Sequence, residues 1–211
     1  MSFLIGLIAG VFGGLVGLGG GVVMIPLMTR FMAIPQARAH GTSLVIVVFA
    51  GLAGSLAYFR AENVNVPAAL ILAASASLTA RLGARYCLSL LEWKLKRYFG
   101  CLLLAASAFL IAKPYLYAAA VSPLSGWAAV FALAATGLAT GFISGLLGIG
   151  GGAFMTAAMV LFVGMGQHTA QGSSLLSMVP AGAVGAYTHW RHGNVATGVL
   201  MGLAAGIVIG A

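Results

Sequence analysis

The feature that most restricts this chain is a triple glycine set in apolar sequence that occurs twice. Gly19-Gly20-Gly21 returns 131 residues later as Gly150-Gly151-Gly152, and the chain aligns with itself at that offset without a gap. Gly6, Gly10, Gly14 and Gly17 fall on Gly137, Gly141, Gly145 and Gly148, while Met24 and Met28 fall on Met155 and Met159. Farther on, Ala39-His40-Gly41-Thr42-Ser43-Leu44 meets Ala170-Gln171-Gly172-Ser173-Ser174-Leu175. Gly51 and Gly54 meet Gly182 and Gly185, and Arg60, Asn63 and Val64 meet Arg191, Asn194 and Val195. Glycine is abundant, so single matches mean little. A constant register over about sixty residues marks a duplicated unit.

The sequence around the glycines fixes the solvent. Apolar segments run over 3–29, 41–59, 64–80, 97–118, 126–164, 171–190 and 194–211. Several carry about 20 residues, enough to cross a hydrocarbon core at 1.5 Å per residue. Only 6% of the residues are charged, against about 25% in a soluble domain. So few charges cannot wet a globule of 211 residues, and a soluble class is excluded. Tyr58, Trp93, Tyr98, Tyr115, Tyr117, Trp127, Tyr187 and Trp190 stand near segment ends, the interfacial depth such rings prefer. The net charge of +8 sits in short clusters between apolar runs. That is the pattern of cytoplasmic loops, and nucleic acid is not expected as a partner. With no basic stretch before its first apolar run, the N-terminus reads as a retained membrane segment.

The expected fold is all-α: a polytopic transmembrane helix bundle of two repeats, 1–125 and 126–211. The counterpart of residues 81–113 would occupy 212–244, so the second repeat reads as C-terminally incomplete. A glycine costs about 1 kcal/mol within a helix, and three together break it. Segment 3–29 then becomes two half-helices of about 14 residues, each too short to cross alone, forming a re-entrant pair. Arg30 and Arg38 in one loop, and Arg81, Arg85, Lys94, Lys96 and Arg97 in another, belong inside. If 126–164 also turns back, Arg191 joins them and the repeats are inverted; if it crosses, the repeats are parallel. One arginine favours the inverted arrangement.

Two residue sets are candidates for binding. Gly19, Gly20 and Gly21, within Gly17-Leu18-Gly19-Gly20-Gly21, and Gly150, Gly151 and Gly152 would expose unpaired backbone N–H groups at mid-membrane, suited to an anion. The alternative is close helix packing, for which membrane bundles use small residues. His40, Thr42 and Ser43, with Gln171, Ser173 and Ser174, could donate hydrogen bonds to an oxyanion without a fixed charge. Helix N-capping is the competing role for the hydroxyls, and the two are compatible. No lysine follows either glycine cluster, so neither is a nucleotide loop. Arg38, Arg60 and Arg191 could attract anions at the mouths. Glu62 and Glu92 lie in loops, which argues against a carboxylate cation site. Cys87 and Cys101 are too far apart for a redox or metal pair. No catalytic set, metal cluster or cofactor fingerprint is present, and neither an enzyme nor a cofactor is expected.

GLVGLGGGVVMIPLM at 14–28 and GLLGIGGGAFMTAAM at 145–159, followed by AHGTSL and AQGSSL, resemble the signature of the sulfite exporter TauE/SafE family. Pro26 fits the pattern, and the second copy departs from it with Ala157. The resemblance covers both repeats. It implies a duplicated membrane transporter, in a bacterial inner membrane, for sulfite, organosulfonates or related small anions. The partners expected are that anion and the bilayer, with a homo-oligomer open. A non-transporting scaffold subunit and a passive anion channel are the competing functions.

Overall fold

The computed structural model describes residues 1–16, 19–118 and 123–210. Among them every regular element is an α-helix, as the apolar segments predict. They are α1 (Ser2–Val16), α2 (Gly21–Phe31), α3 (Gln36–Arg60), α4 (Val66–Ser89), α5 (Glu92–Ala118), α6 (Gly126–Leu147), α7 (Gly152–Val163), α8 (Gln167–Arg191) and α9 (Thr197–Gly210). Helices α3, α4 and α6 are each long and apolar enough to cross a membrane. Leu78, Leu104, Trp127, Phe131 and Met201 are exposed over more than two-thirds of their surface. Apolar covering on this scale is stable against lipid tails and not against water. The chain is a multi-pass membrane protein.

Helix α8 has the 25-residue length of α3 but is less apolar. Its buried face carries Gln171, Ser173, Ser174, Ser177, Thr188 and His189. Segment 171–190 is thus a polar-faced helix inside the bundle. Of the aromatic residues expected at the interface, Trp93, Tyr98, Trp127, Tyr187 and Trp190 are exposed, and the side chains of Tyr115 and Tyr117 lie outside the described residues. Tyr58 instead turns inward, its hydroxyl donating to Gln171 Oε1 at 3.2 Å.

The glycine clusters interrupt the chain where the sequence places the breaks. Between α1 and α2, Gly19 and Gly20 have φ of 68° and 78°. Between α6 and α7, Gly148, Gly150 and Gly151 have φ of 72°, 85° and 75°. A side chain in this left-handed region costs roughly 1–2 kcal/mol per residue, so glycine is what allows both turns. Gly17 and Leu18, which open the first cluster, lie outside the described residues. At 15 and 11 residues, α1 and α2 are both short, as expected of half-helices. The longer segment 126–164 divides unequally. Helix α6 has 22 residues and only α7, with 12, is a short limb. Leu124 N donates to Phe162 O at 2.8 Å, so α7 ends beside the start of α6 and segment 126–164 turns back on itself.

Packing uses close backbone approach. Lipid tails are as apolar as leucine, so helices in a membrane associate through fit and not through hydrophobic expulsion. Helices α4 and α6 run parallel. Gly137 lies on Leu72 and Ser75, Gly141 on Ala76 and Thr79, and Gly145 on Ala80 and Ala84. Helices α1 and α9 pair in the same way, Gly6 on Leu203 and Gly10 on Ile207, with Gly206 on Phe3 and Leu7. At the centre α3 and α8 run antiparallel. Gly41 near the start of α3 faces His189 and Asn194, and Gly172 near the start of α8 faces Tyr58 and Asn63.

A methyl group at Gly141 would sit 2.5 Å from the Ala76 Cα, whereas one at Gly100 would meet nothing within 4 Å. Gly141→Ala is expected to lower stability by about 1–3 kcal/mol through overpacking. Gly100→Ala should leave it unchanged or slightly raised. Thermal unfolding of the two detergent-solubilised variants checks the contrast.

Candidate functional site

The two glycine breaks meet at the centre of the bundle. A Cβ on Gly19 would lie 3.3 Å from both Met178 Sδ and Val47 Cγ1, and one on Gly150 would lie 2.7 and 2.8 Å from the same two atoms. Val47 of α3 and Met178 of α8 therefore sit across both breaks, and each is fully buried. Gly21 approaches the other break directly. A Cβ there would lie 2.7 Å from Gly148 O and 2.9 Å from both Ile149 Cα and Ser43 Oγ. Gly20 lies against Ala9 and Ile207, Gly151 against Thr140, and Gly152 is the first residue of α7. No side chain caps the N-terminus of α2 or of α7. Gly19, Gly21 and Gly150 therefore belong to one tightly packed junction, while Gly20 and Gly151 pack outward from it at the starts of two short helices.

The polar candidates divide into three groups. Ser43 lies at the junction and donates to Gly148 O at 2.7 Å. Ser174 sits in the equivalent turn of α8, donating to Gln171 O at 2.8 Å and accepting from Thr156 Oγ1 at 3.0 Å. Thr42 and Ser173 do something else. Thr42 Oγ1 accepts from Ala196 N at 2.9 Å and donates to Arg38 O at 2.6 Å. Ser173 Oγ accepts from Asn65 N at 2.8 Å and donates to Thr169 O at 2.6 Å. Each ties the loop before another helix, α9 or α4, to the centre. The N-capping alternative is overturned: Pro35 and Gly166 are the N-caps of α3 and α8 and neither helix has a side-chain cap bond. The hydroxyls stand about two turns inside and bond to neighbouring loops.

His40 and Gln171 form the third group, each holding the end of the helix before a break. His40 Nδ1 bonds to Leu147 O at 2.6 Å, and Gln171 Nε2 to Leu15 O at 3.1 Å. Two residues outside the candidate binding sets join His40. His189 Nε2 bonds to Gly145 O at 3.1 Å, and Ser144 lies one residue before that glycine. His40, His189 and Ser144 are all fully buried. His40 Nε2, His189 Nδ1 and Ser144 Oγ have no partner. Each such atom is a cost of about 1–3 kcal/mol if left dry. A histidine aligned with a tyrosine, and a serine amid small residues, carried no sequence signal of this.

A second missed feature is an open cleft of about 740 Å³ between α4 and α8, lined by Arg81, Arg85, Thr188, Arg191 and His192 among others. Arg81 and Arg85 read in sequence only as loop charges, but they sit one turn apart on α4, on the face that lines this cleft. Glu92 is already paired with Lys96 at 3.3 Å and accepts from Gln36 N at 3.4 Å. Glu62 is in the loop after α3, toward the opposite end of that helix. The cleft cations thus have no carboxylate to neutralise them, and their combined field favours small anions. Of the other arginines considered as mouths, Arg38 lies on the first turns of α3 and Arg60 at its far end.

The model of the sulfite exporter TauE/SafE family matches residues 2–211. Among curated proteins, the chain is 29% identical to the Probable membrane transporter protein YunE of Bacillus subtilis (strain 168), over 92% of this chain and 81% of that one. It is 28% identical to the Probable membrane transporter protein YdhB of the same organism, over 100% of this chain and 85% of that one. It is 35% identical to the Arabidopsis thaliana Sulfite exporter TauE/SafE family protein 3, over 37% of this chain and 16% of that one. No solved structure matches the chain.

Ser173→Ala would strand the Asn65 N–H, with a loss of about 1–3 kcal/mol. Ser77 bonds only within its own helix, to Ala73 O, so Ser77→Ala should be close to neutral. Paired thermal unfolding of the two variants distinguishes a loop tie from an ordinary helix hydroxyl.

Proposed function

Because the chain belongs to the sulfite exporter TauE/SafE family, we propose that it carries a small sulfur oxyanion or organosulfonate across the membrane at the junction of its two glycine breaks. The observation that carries this reading is the meeting of both breaks behind Val47 and Met178. Its further support is that α2 and α7 start beside the breaks without side-chain caps and that the Ser43 hydroxyl lies against Gly21 and Gly148. Broken helices supply such anion sites where irregular backbone is shielded from lipid. The curated relatives are named as transporters, which favours transport over catalysis.

The reading includes two inverted repeats, 1–125 and 126–211. Its support is that α2, α3 and α4 begin at Gly21, Gln36 and Val66, while α7, α8 and α9 begin at Gly152, Gln167 and Thr197. The contacts pair off in the same way: α1 with α9 as α6 with α4, and α3 with α8 across the centre. The antiparallel crossing of α3 and α8 brings Arg191 to the end holding Arg81 and Arg85, which the positive-inside tendency assigns to the cytoplasm. The basic cleft is then a cytoplasmic mouth that gathers anions.

The close packing of Val47 and Met178 against the breaks favours a carrier over a channel. An anion reaches the backbone N–H groups only after α3 and α8 shift and these two side chains withdraw. That movement is the alternating step.

Sulfite flux in proteoliposomes should therefore saturate with concentration and be inhibited by sulfoacetate. Gly151→Ala places a side chain at φ 75°. It should reduce flux about tenfold or more, the equivalent of 1.4 kcal/mol at the site, with the bundle still folded. Gly198→Ala, which meets nothing within 4 Å, should transport as the parent does. Unsaturable flux, or undiminished flux in Gly151→Ala, would overturn the carrier reading.

A further inference from the structure

The three unpartnered buried atoms lie on or against one turn of α6. His40 comes from α3 and His189 from α8, and their rings bond to Leu147 O and Gly145 O, two residues apart. The histidines are neighbours, since a Cβ on Gly41 would lie 2.9 Å from His189 Cβ and 3.0 Å from its Cγ. Ser144 belongs to the same turn.

The carbonyls fix the tautomers. A carbonyl oxygen only accepts, so His40 Nδ1 and His189 Nε2 must carry hydrogen. In the neutral rings, His40 Nε2 and His189 Nδ1 are then bare lone pairs. An oxyanion, itself only an acceptor, has nothing to bind on either. Adding one proton turns a ring into a cation with a free N–H donor, and Ser144, on the turn of α6 that both rings bond to, has a hydroxyl with no partner. We infer that His40, His189 and Ser144 form an oxyanion site that fills only together with a proton, so that anion movement in this protein is coupled to H⁺.

The equivalent place in the other half supports this assignment. At the 131-residue offset Gln171 stands for His40 and Tyr58 for His189. Gln171 bonds to Leu15 O, and Tyr58 lies 3.4 Å from Gly14 O. They also bond to each other, so both are satisfied. Neither side chain gains a proton near neutrality. The half with histidines is the half that leaves lone pairs open.

The surrounding charges make the two events depend on each other. On α8, His192 bonds through Nδ1 to Thr188 O at 2.7 Å and, with Arg191, lines the cleft that Arg81 and Arg85 of α4 share. Arg38 lies two residues before His40 on α3. Helix α5 contributes Phe99, 5.6 Å from the His40 ring, and its first turns carry Lys94, Lys96, Arg97 and the paired Glu92. Helices α6 and α9 contribute no titratable group, and Arg30 ends α2. No carboxylate bonds to either ring. The cations oppose a lone proton and favour an anion, so the proton enters with the anion.

This inference rests on the transport reading, and the test separates the two. Sulfoacetate and sulfate are fully ionised near neutral pH and cannot bring a proton themselves. Each is mixed with the weakly buffered, detergent-solubilised chain at pH 7, and bound ligand and proton uptake are recorded together. About one proton per bound anion is expected, with affinity falling about tenfold per pH unit as pH rises. The His40→Gln, His189→Tyr variant copies the other half. It should remain folded, take up no proton and lose the pH dependence. Binding of either anion without proton uptake, or unchanged uptake in the variant, would overturn the coupling and leave the transport reading standing. Failure of the parent chain to bind sulfoacetate, sulfate and sulfite would overturn both.

Discussion

The rest of the structure depends on one contact: two left-handed glycine turns brought together between a pair of antiparallel helices. Gly19 and Gly150 can share Val47 and Met178 because neither has a Cβ to hold those side chains away. Glycine at these positions does two things at once. It ends one helix and starts the next without strain, and it lets the backbone come close enough for the two breaks to meet. Helices α3 and α8 cross there, and α4 on α6 and α1 on α9 close the flanks through further glycine contacts. Fit between small residues is the association force available when the surroundings are as apolar as the helices.

Polar groups are arranged around that junction according to what a dry interior tolerates. Ser43, Ser174, Thr42, Ser173, Gln171 and Tyr58 all find partners within the chain. Most of these bonds join segments more than a hundred residues apart, so the polar contacts hold one half to the other. His40, His189 and Ser144 depart from the rule. Native interiors rarely leave buried polar atoms without a partner, and these three are the observation on which the inference of an oxyanion site rests.

Much of this architecture was legible from the chain alone. The positions of both breaks followed from glycine runs inside apolar sequence, since a backbone effect reads directly from residue type. Lipid exposure followed from the scarcity of charge. Helix α6 begins at Gly126, where the apolar segment 126–164 begins, and ends where the glycine break starts. The loop ties made by Thr42 and Ser173 were not legible because their partners, Ala196 and Asn65, are distant in sequence. In sequence His189 is one of four histidines able to titrate, with nothing to set it apart from His168 or His192. Its significance lies in the nitrogen that lacks a partner, and only the packing of α8 on α6 reveals that. Arg81 and Arg85 counted as topology signals until α4 and α8 enclosed a cleft around them.

The central claim is that this bundle selectively binds a sulfur oxyanion. Thermal unfolding of the detergent-solubilised chain with sulfite, thiosulfate, sulfate, sulfoacetate, taurine and chloride at matched ionic strength tests it most directly. A specific ligand at a hundred times its dissociation constant adds about 2.7 kcal/mol to apparent stability, while general screening affects all salts alike. The account predicts a clear upward shift with at least one sulfur anion and none with chloride. Equal shifts for every salt, or no shift for any, would contradict it.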